Sequence, residues 1–274
     1  MFKNMKKILC NVLAVVGVGA CAGTFGACET NEPKVELEIS FNGETYTLEY
    51  NLFRKITPTT VKHFLALVEN EYYNGLCVHD YQAGEAMYTG GYKYVDSALE
   101  YVDYTQTVKD YIPQSVWSDG EKTVPTYTLY GECKANKFEV TNGALQQRFG
   151  ALVMYYETNG SNLDAYVERN QGGVARRDYE KNSATSMFSI TLSATVKNND
   201  NYCVFAMLAD NSVEELSALK SAIEDYVETT YDNESDFVSV KYGDVLDHLL
   251  GESEKAYDVP NQPIVIEKAT VIRY

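Results

Sequence analysis

Two runs of alternating apolar and polar residues, joined by Asn42-Gly43, constrain the fold of this chain more than any other feature. Residues 35–41 read VELEISF and residues 45–53 read TYTLEYNLF. Alternation with a period of two is typical of a strand that buries one face. Asn-Gly between two such runs is the strongest short signal of a β-hairpin. The folded part of the chain is therefore predicted to begin with an antiparallel pair of strands.

Two amphipathic helices are also predicted. Thr57-Pro58 has the features of a helix start, with threonine as the cap and proline in the first turn. Ser212 and Glu215 have the spacing of a capping box. Apolar residues at helical spacing follow both starts: Val61, Phe64, Leu65 and Val68, then Val213, Leu216, Leu219, Ile223 and Val227. With a closing apolar strand over residues 263–272, the pattern predicts a mostly β chain with two helices.

Residues 73–91, YNGLCVHDYQAGEAMYTGG, predict a strand–loop–strand corner. Leu76–Tyr81 is a brief strand with alternating positions. Glycines at 75, 84, 90 and 91 mark tight turns or close approaches of the backbone. By itself this segment identifies no chemistry.

The same segment resembles the active-site strand and loop of the cyclophilins, the cyclosporin-type peptidyl-prolyl isomerases. That family has Tyr-x-Gly, a strand ending in His-Arg, a Pro-Gly-Phe-Met turn and then Gln-Gly-Gly. The matching residues are Tyr73, Gly75, Cys77, His79, Gly84, Met87, Gly90 and Gly91. Further blocks resemble the family in the same order along the chain: the first hairpin with its helix, then residues 126–142, 148–154, 182–190 and 202–208.

The resemblance implies a mostly β fold, a closed eight-stranded antiparallel barrel capped by two α-helices, with a peptide groove on one outer face. The domain is expected to span residues 34–274, with insertions at about 92–125 and 158–181. The first insertion is rich in tyrosine, and Ala98–Ile112 within it is interpreted as a possible short helix. The second is interpreted as a mobile loop because it is polar and contains glycine.

The resemblance also implies the groove positions, and most of them depart from the family. Asp80 stands where the catalytic arginine would be, and an ionised aspartate has no proton to donate. We therefore name no catalytic residue. The other implied groove positions are His79, Met87, Thr89, Tyr155, Tyr156, Met187, Ser189 and Tyr202. The resemblance implies glutamine at the positions of Thr89 and Met187, and the phenylalanine of the proline pocket at that of Ser189. His79 is interpreted as a structural strand residue. The loop 85–89 is one residue longer than in the family, so the alignment of residues 86–88 stays open.

Residues 1–27 have the features of a lipoprotein signal peptide: a basic start, a short apolar run and small residues before a cysteine. Cys28 is the predicted lipidation site, with Cys21 as the alternative, and residues 28–33 form a tether. Removing residues 1–27 takes away three lysines and no acidic residue, and so changes the formal net charge from −16 to −19. Such an acidic domain is a poor partner for nucleic acid. The expected location is the bacterial cell membrane, lipid-anchored and outside the cytoplasm.

The remaining cysteines, Cys77, Cys133 and Cys203, are widely spaced and odd in number, which favours buried thiols over disulfides or a zinc site. No cofactor or metal is expected, and the protein is expected to be a monomer. The predicted function is an extracytoplasmic isomerase or foldase for proline-containing segments of exported proteins, with a degenerate active site and weak activity. The alternative is a catalytically inert peptide-binding lipoprotein. A solute-binding lipoprotein fits the export signal, but the sequence lacks the repeated βαβ pattern of that class.

Overall fold

The computed structural model describes residues 30–107, 115–138, 145–156, 162–197, 199–247 and 249–274. The predicted signal peptide, both candidate lipidation sites and the first part of the tether lie outside these residues. No helix in the described part of the chain is long and apolar enough to cross a bilayer.

Sixteen strands and two α-helices form the regular structure of the described ranges. The helices are α1 (Pro58–Glu69) and α2 (Val213–Thr230). The strands are β1 (Lys34–Phe41), β2 (Glu44–Leu52), β3 (Leu76–Cys77), β4 (Asp80–Gln82), β5 (Ala86–Thr89), β6 (Tyr92–Val95), β7 (Ala98–Tyr101), β8 (Val116–Trp117), β9 (Leu152–Met154), β10 (Asp164–Glu168), β11 (Val174–Asp178), β12 (Phe188–Thr191), β13 (Val204–Leu208), β14 (Val238–Asp247), β15 (Gly251–Pro260) and β16 (Ile264–Arg273).

The predicted first hairpin is confirmed. Strands β1 and β2 pair in register from Lys34 opposite Asn51 to Phe41 opposite Glu44. Asn42 and Gly43 both have positive φ, 49° and 87°, as a two-residue turn of the favoured hairpin type requires. Alternate residues of β1 are buried in the main core.

Nine antiparallel strands form the main sheet, in the order β3-β16-β1-β2-β13-β9-β12-β5-β4. The sheet curls, and its two terminal strands are separated in the chain by Val78 and His79 alone. The Val78 N–H donates to Ile264 O of β16 at 2.8 Å, and the His79 N–H donates to Tyr88 O of β5 at 2.9 Å. One short segment therefore bonds to both ends of the sheet. Nine strands are counted because this segment changes partner midway, and the closed eight-stranded barrel stays a prediction.

Both helices lie where the sequence predicted them, but their starts are held differently. Within the described chain, neither Thr57 nor Ser212 caps its helix through its side chain. The Thr59 and Thr60 N–H groups donate instead to the buried Glu132 carboxylate, at 3.0 and 2.8 Å. The Ser212 hydroxyl accepts from the Glu49 N–H of β2 at 2.9 Å. The expected caps are wrong because partners distant in sequence compete for the same groups.

The two insertions pack on each other. Strand β8 of the first insertion pairs with β10 of the second, which pairs with β11 in a three-stranded sheet. The described part of the second insertion therefore contains two paired strands rather than loop alone. The first insertion begins with the β6–β7 hairpin, and residues 104–106 form a short 3-10 turn. The possible helix at 98–112 is thus not formed over 98–107, and residues 108–112 lie outside the described ranges.

A long hairpin near the C-terminus was not predicted. Strands β14 and β15 pair over ten residues each, and the hairpin packs against β4 and β7. Its sequence is acidic and exposed along much of its length, so it carries little of the apolar alternation that identifies a strand. The hairpin covers the end of the sheet at which Asp80 lies.

Gly131, in the segment 126–142 that resembles the family, provides a test of how this segment is packed. A Cβ atom added at Gly131 would overlap the backbone carbonyl oxygen of Lys181. Gly131→Ala is expected to lower the free energy of unfolding by about 1–3 kcal/mol, because backbone on both sides must move. Gly120→Ala is the matched control, since a Cβ there meets only ordinary contacts with Tyr166. Urea unfolding of both variants checks the prediction, and equal stability of the two would contradict it.

Candidate functional site

A row of cross-strand neighbours defines the site on the outer face of the sheet. Asp80 of β4 lies opposite Tyr88 of β5, Tyr88 lies opposite Ser189 of β12, and Ser189 lies opposite Val153 of β9. Directly opposed residues in antiparallel strands project to the same face. Next to this row is a cavity of about 360 Å3. Its lining residues are Tyr88, Gln147, Val153, Met154, Tyr155, Tyr156, Glu180, Lys181, Ser189, Asn199, Asn201 and Tyr202.

Four tyrosines form much of the cavity wall. The rings of Tyr88 and Tyr155 contact edge to face, with centroids 6.0 Å apart and planes at 85°. Tyr202 is 42% exposed, whereas the Tyr156 hydroxyl is buried. Burial first, and then the nearby Asp80 carboxylate, raises the pKa of the Tyr88 phenol. Tyr88 is therefore neutral at physiological pH and can donate a hydrogen bond.

Asp80, at the position that the resemblance assigns to the family's arginine, accepts two hydrogen bonds. Its Oδ1 atom accepts from the backbone N–H of Asp258 at 3.3 Å, and its Oδ2 atom accepts from Gln82 Nε2 at 3.5 Å. Burial raises the pKa of the Asp80 carboxyl, with a smaller opposing effect of the Asp258 N–H. Asp258 belongs to β15, so the late hairpin holds this carboxylate in place.

One charged hydrogen-bond donor lines the cavity within the described part of the chain. Lys181 is the one cationic side chain among the described lining residues, and its Nζ lies 3.3 Å from the Asp178 carboxylate. The described residues of the first insertion, 92–107 and 115–125, do not line the cavity. Only Glu180 and Lys181, at the end of the second insertion, do so. The described part of the tyrosine-rich insertion therefore does not fill the candidate site.

His79 is buried in the two-residue segment between β3 and β4 and does not line the cavity. Its ring packs against those of Tyr92 and Tyr257, with both centroids 4.9 Å away, and the two tyrosine rings also contact each other. Tyr92 is in the first insertion and Tyr257 is in the late hairpin, so the three rings join both additions to the sheet. Burial lowers the pKa of His79 to about 3. His63 of α1 is also buried and packs edge-on against Tyr104.

Besides His79, three more of the eight implied groove positions do not line the cavity. Met87 is fully buried in the main core. Thr89 is also buried, and its hydroxyl donates to Cys77 O at 2.8 Å. Met187 packs in a second core cluster, next to Gly91 and Tyr92. Successive side chains of a strand point to opposite faces, so Tyr88 faces the cavity while its neighbours Met87 and Thr89 point inward.

The structure does bring together Tyr155, Tyr156, Ser189 and Tyr202 from four of the implied positions. Sequence reasoning missed Tyr88, Gln147, Lys181, Asn199 and Asn201. The open alignment at residues 86–88 was the available signal for Tyr88, whereas the others lie outside any recognised groove position. Cys77, Cys133 and Cys203 are free and buried, as predicted. Among the described residues, no cluster of acidic, histidine or cysteine side chains is arranged to hold a metal ion.

A protein-family model described as cyclophilin type peptidyl-prolyl cis-trans isomerase/CLD matches residues 35–271. This chain belongs to the cyclophilin family. Among solved structures, it is similar to a cyclophilin type peptidyl-prolyl cis-trans isomerase of Cryptosporidium parvum, with a TM-score of 0.46 and 18% identity over 89% of this chain and 99% of that one. It is also similar to the Mimivirus cyclophilin, with a TM-score of 0.42 and 16% identity over 74% of this chain and 85% of that one. A comparison with curated proteins finds no match.

The outer face at β5, β9 and β12 carries a tyrosine-walled cavity with Ser189 on its central strand. The position of the catalytic arginine, as the resemblance places it, is a carboxylate bonded to the late hairpin.

Proposed function

We propose that this cyclophilin binds proline-containing segments of exported polypeptides in the tyrosine-walled cavity and isomerises them only weakly. The observation that carries the proposal is the hydrogen bond between the Asp258 N–H and Asp80, which holds an acceptor where the family has a donor. Binding and catalysis use different groups, so a cavity can retain the first while losing most of the second.

The loss of rate follows from the chemistry of the X–Pro bond. Rotation breaks amide resonance against a barrier of about 18–20 kcal/mol. A protein lowers this barrier by binding the twisted state and donating a hydrogen bond to the proline nitrogen. An ionised aspartate accepts hydrogen bonds only, and its charge repels the nitrogen lone pair.

The second candidate function is a peptide-binding protein without catalysis. It is favoured by the pairing of Lys181 with Asp178, because Lys181 is the one cation among the described lining residues. The Tyr88 hydroxyl is then the group that separates the two candidates. A slow isomerase needs a donor of this kind at the proline nitrogen, whereas a binding protein does not.

Peptide binding tests the proposed function directly. The peptide acetyl-Ala-Ala-Pro-Ala-Ala-amide is expected to bind the domain from Asn31 onward more tightly than the same peptide with alanine for proline. Tyr202→Ala is expected to weaken binding at least about fivefold, as loss of an aromatic anchor does. Tyr242→Ala is the matched control, because Tyr242 is 61% exposed on β14 and does not line the cavity within the described chain. Equal binding of both peptides would contradict the proposal.

The proposed location is the outer side of a bacterial membrane, through a lipid on Cys28. Mass spectrometry of the mature protein is expected to find a diacylated cysteine at its N-terminus, at Cys28 or at the alternative Cys21. An unmodified chain that begins at Met1 and is recovered from the cytosol would contradict this location. The peptide-binding proposal does not depend on that result.

A further inference from the structure

A buried side-chain amide, that of Gln147, lies in the wall of the cavity, and its oxygen has no hydrogen-bond partner among the described residues. Gln147 is 8% exposed and lines the cavity. Its Nε2 atom donates to the Thr191 hydroxyl at 3.2 Å. Its Oε1 atom is shielded from water and has no partner among the described residues. The amide is therefore a prepared hydrogen-bonding group at the site.

The backbone holds Gln147 in this position. Its backbone carbonyl oxygen accepts from the Lys197 backbone N–H at 2.8 Å, in an isolated antiparallel bridge between the two residues. Thr191 lies two residues after Ser189 on β12, so the amide sits beside the central strand of the site. The Thr191 hydroxyl can donate or accept. The amide can therefore turn over and offer either its oxygen or its N–H group to a bound molecule.

An unpaired buried amide discriminates between ligands. A ligand group that pairs with it recovers a hydrogen bond, whereas an apolar group of the same size leaves it unpaired in a drier site. Sites built around buried polar groups reject apolar analogues more strongly than apolar pockets reject one another's ligands. Ser189, where the resemblance implies an apolar phenylalanine floor, adds a second hydroxyl to the same face.

We propose that Gln147 determines specificity, by selecting peptides in which a residue adjacent to proline carries a hydrogen-bonding side chain of the amide class. This inference rests on the proposed function, since it describes the peptide that the same cavity takes. Gln147 contacts the ligand and acts in recognition.

Two peptides that differ only beside the proline test it. They are acetyl-Ala-Gln-Pro-Gln-Ala-amide and acetyl-Ala-Met-Pro-Met-Ala-amide, which keep the shape of the side chain and place it on both sides of the proline. The unaltered protein is expected to bind the glutamine peptide at least about tenfold more tightly in calorimetry. In Gln147→Met this preference is expected to fall to within about twofold. Gln106→Met, on an exposed residue that does not line the cavity in the described chain, should keep the full preference.

A measurement on the unaltered protein covers the case in which Gln147→Met does not fold. The side-chain NH2 resonances of Gln147 in a 15N spectrum should shift on saturation with the glutamine peptide and shift less with the methionine peptide. Equal affinities for the two peptides, or a preference that survives in Gln147→Met, would overturn the inference and leave the proposed function standing. Failure of the protein to bind either peptide would overturn both.

Discussion

An ordinary cyclophilin is expected to isomerise a proline peptide at least about 10²-fold faster than this protein does. The form of this protein to be assayed is the domain from Asn31 onward. The reason is the loss of one preorganised donor at the reacting nitrogen, which costs about 10²–10³ in rate in comparable sites. Asp80 takes the place of that donor and accepts from the Asp258 N–H. A protease-coupled assay with a proline peptide measures the difference.

Asp80→Arg alone is expected to recover little of that rate. The new side chain would lose the hydrogen bond to the Asp258 N–H. The site would still have Ser189 in place of an aromatic floor, so the proline would be poorly oriented. The triple variant Asp80→Arg, Tyr88→Gln, Ser189→Phe is expected to recover more than the three single changes combined, because groove residues act as a unit.

The structure changes which substitutions belong in that variant. The resemblance alone would introduce glutamine at Thr89 and Met187, but both residues are buried. A glutamine there would place an unpaired amide in a core and lower stability without reaching the peptide. Thr89→Gln and Met187→Gln therefore serve as controls that should restore no activity. Full activity of the unaltered protein would contradict the prediction of a slow isomerase, and Tyr88→Phe would then show whether the Tyr88 hydroxyl is the replacement donor.

Two buried histidines are expected to make the protein strongly sensitive to acid. Burial lowers the pKa of His79 to about 3, and burial, partly offset by the backbone of Thr185, lowers that of His63 to about 4. The ordinary value is 6.5. Between 6.5 and these lowered values the unfolded chain binds more protons than the folded one, so stability falls as the pH falls. The expected slope for each histidine increases as the pH falls below 6.5 and approaches a limit of about 1.4 kcal/mol per pH unit.

Urea unfolding at several pH values between 7 and 5 measures this slope. His79→Phe and His63→Phe should each remove about half of the slope that the two histidines contribute, whatever the variants do to stability at pH 7. Asp80 and Glu132 act in the opposite direction, because burial raises the pKa of both carboxyls. Their contribution is present at low pH and is lost as the pH rises, and it cancels when each histidine variant is compared with the parent. An unchanged slope in both variants would contradict the prediction.

The sequence predicted those parts of the fold that depend on neighbouring residues. Asn42-Gly43 predicted the first hairpin because the turn needs two residues with positive φ, a requirement met within the turn itself. The two helices were predicted from apolar spacing, because the buried stripe of a helix repeats along its own chain. The order of the cyclophilin-like blocks was likewise readable, and the family follows from it.

Only the tertiary structure decided which distant residues bond to each other and which side chains face the cavity. The cap of α1 is Glu132, more than seventy positions away in the chain, and Thr59 carries no local sign of it. The outward side chain of β5 is Tyr88 rather than Met87, and a shift of one residue in the register of a strand exchanges its two faces. Gln147 lines the cavity, and its backbone is held there by an antiparallel bridge to Lys197, fifty positions later in the chain. Local patterns determine which element a segment forms, but which surface that element meets depends on the packing of the whole chain.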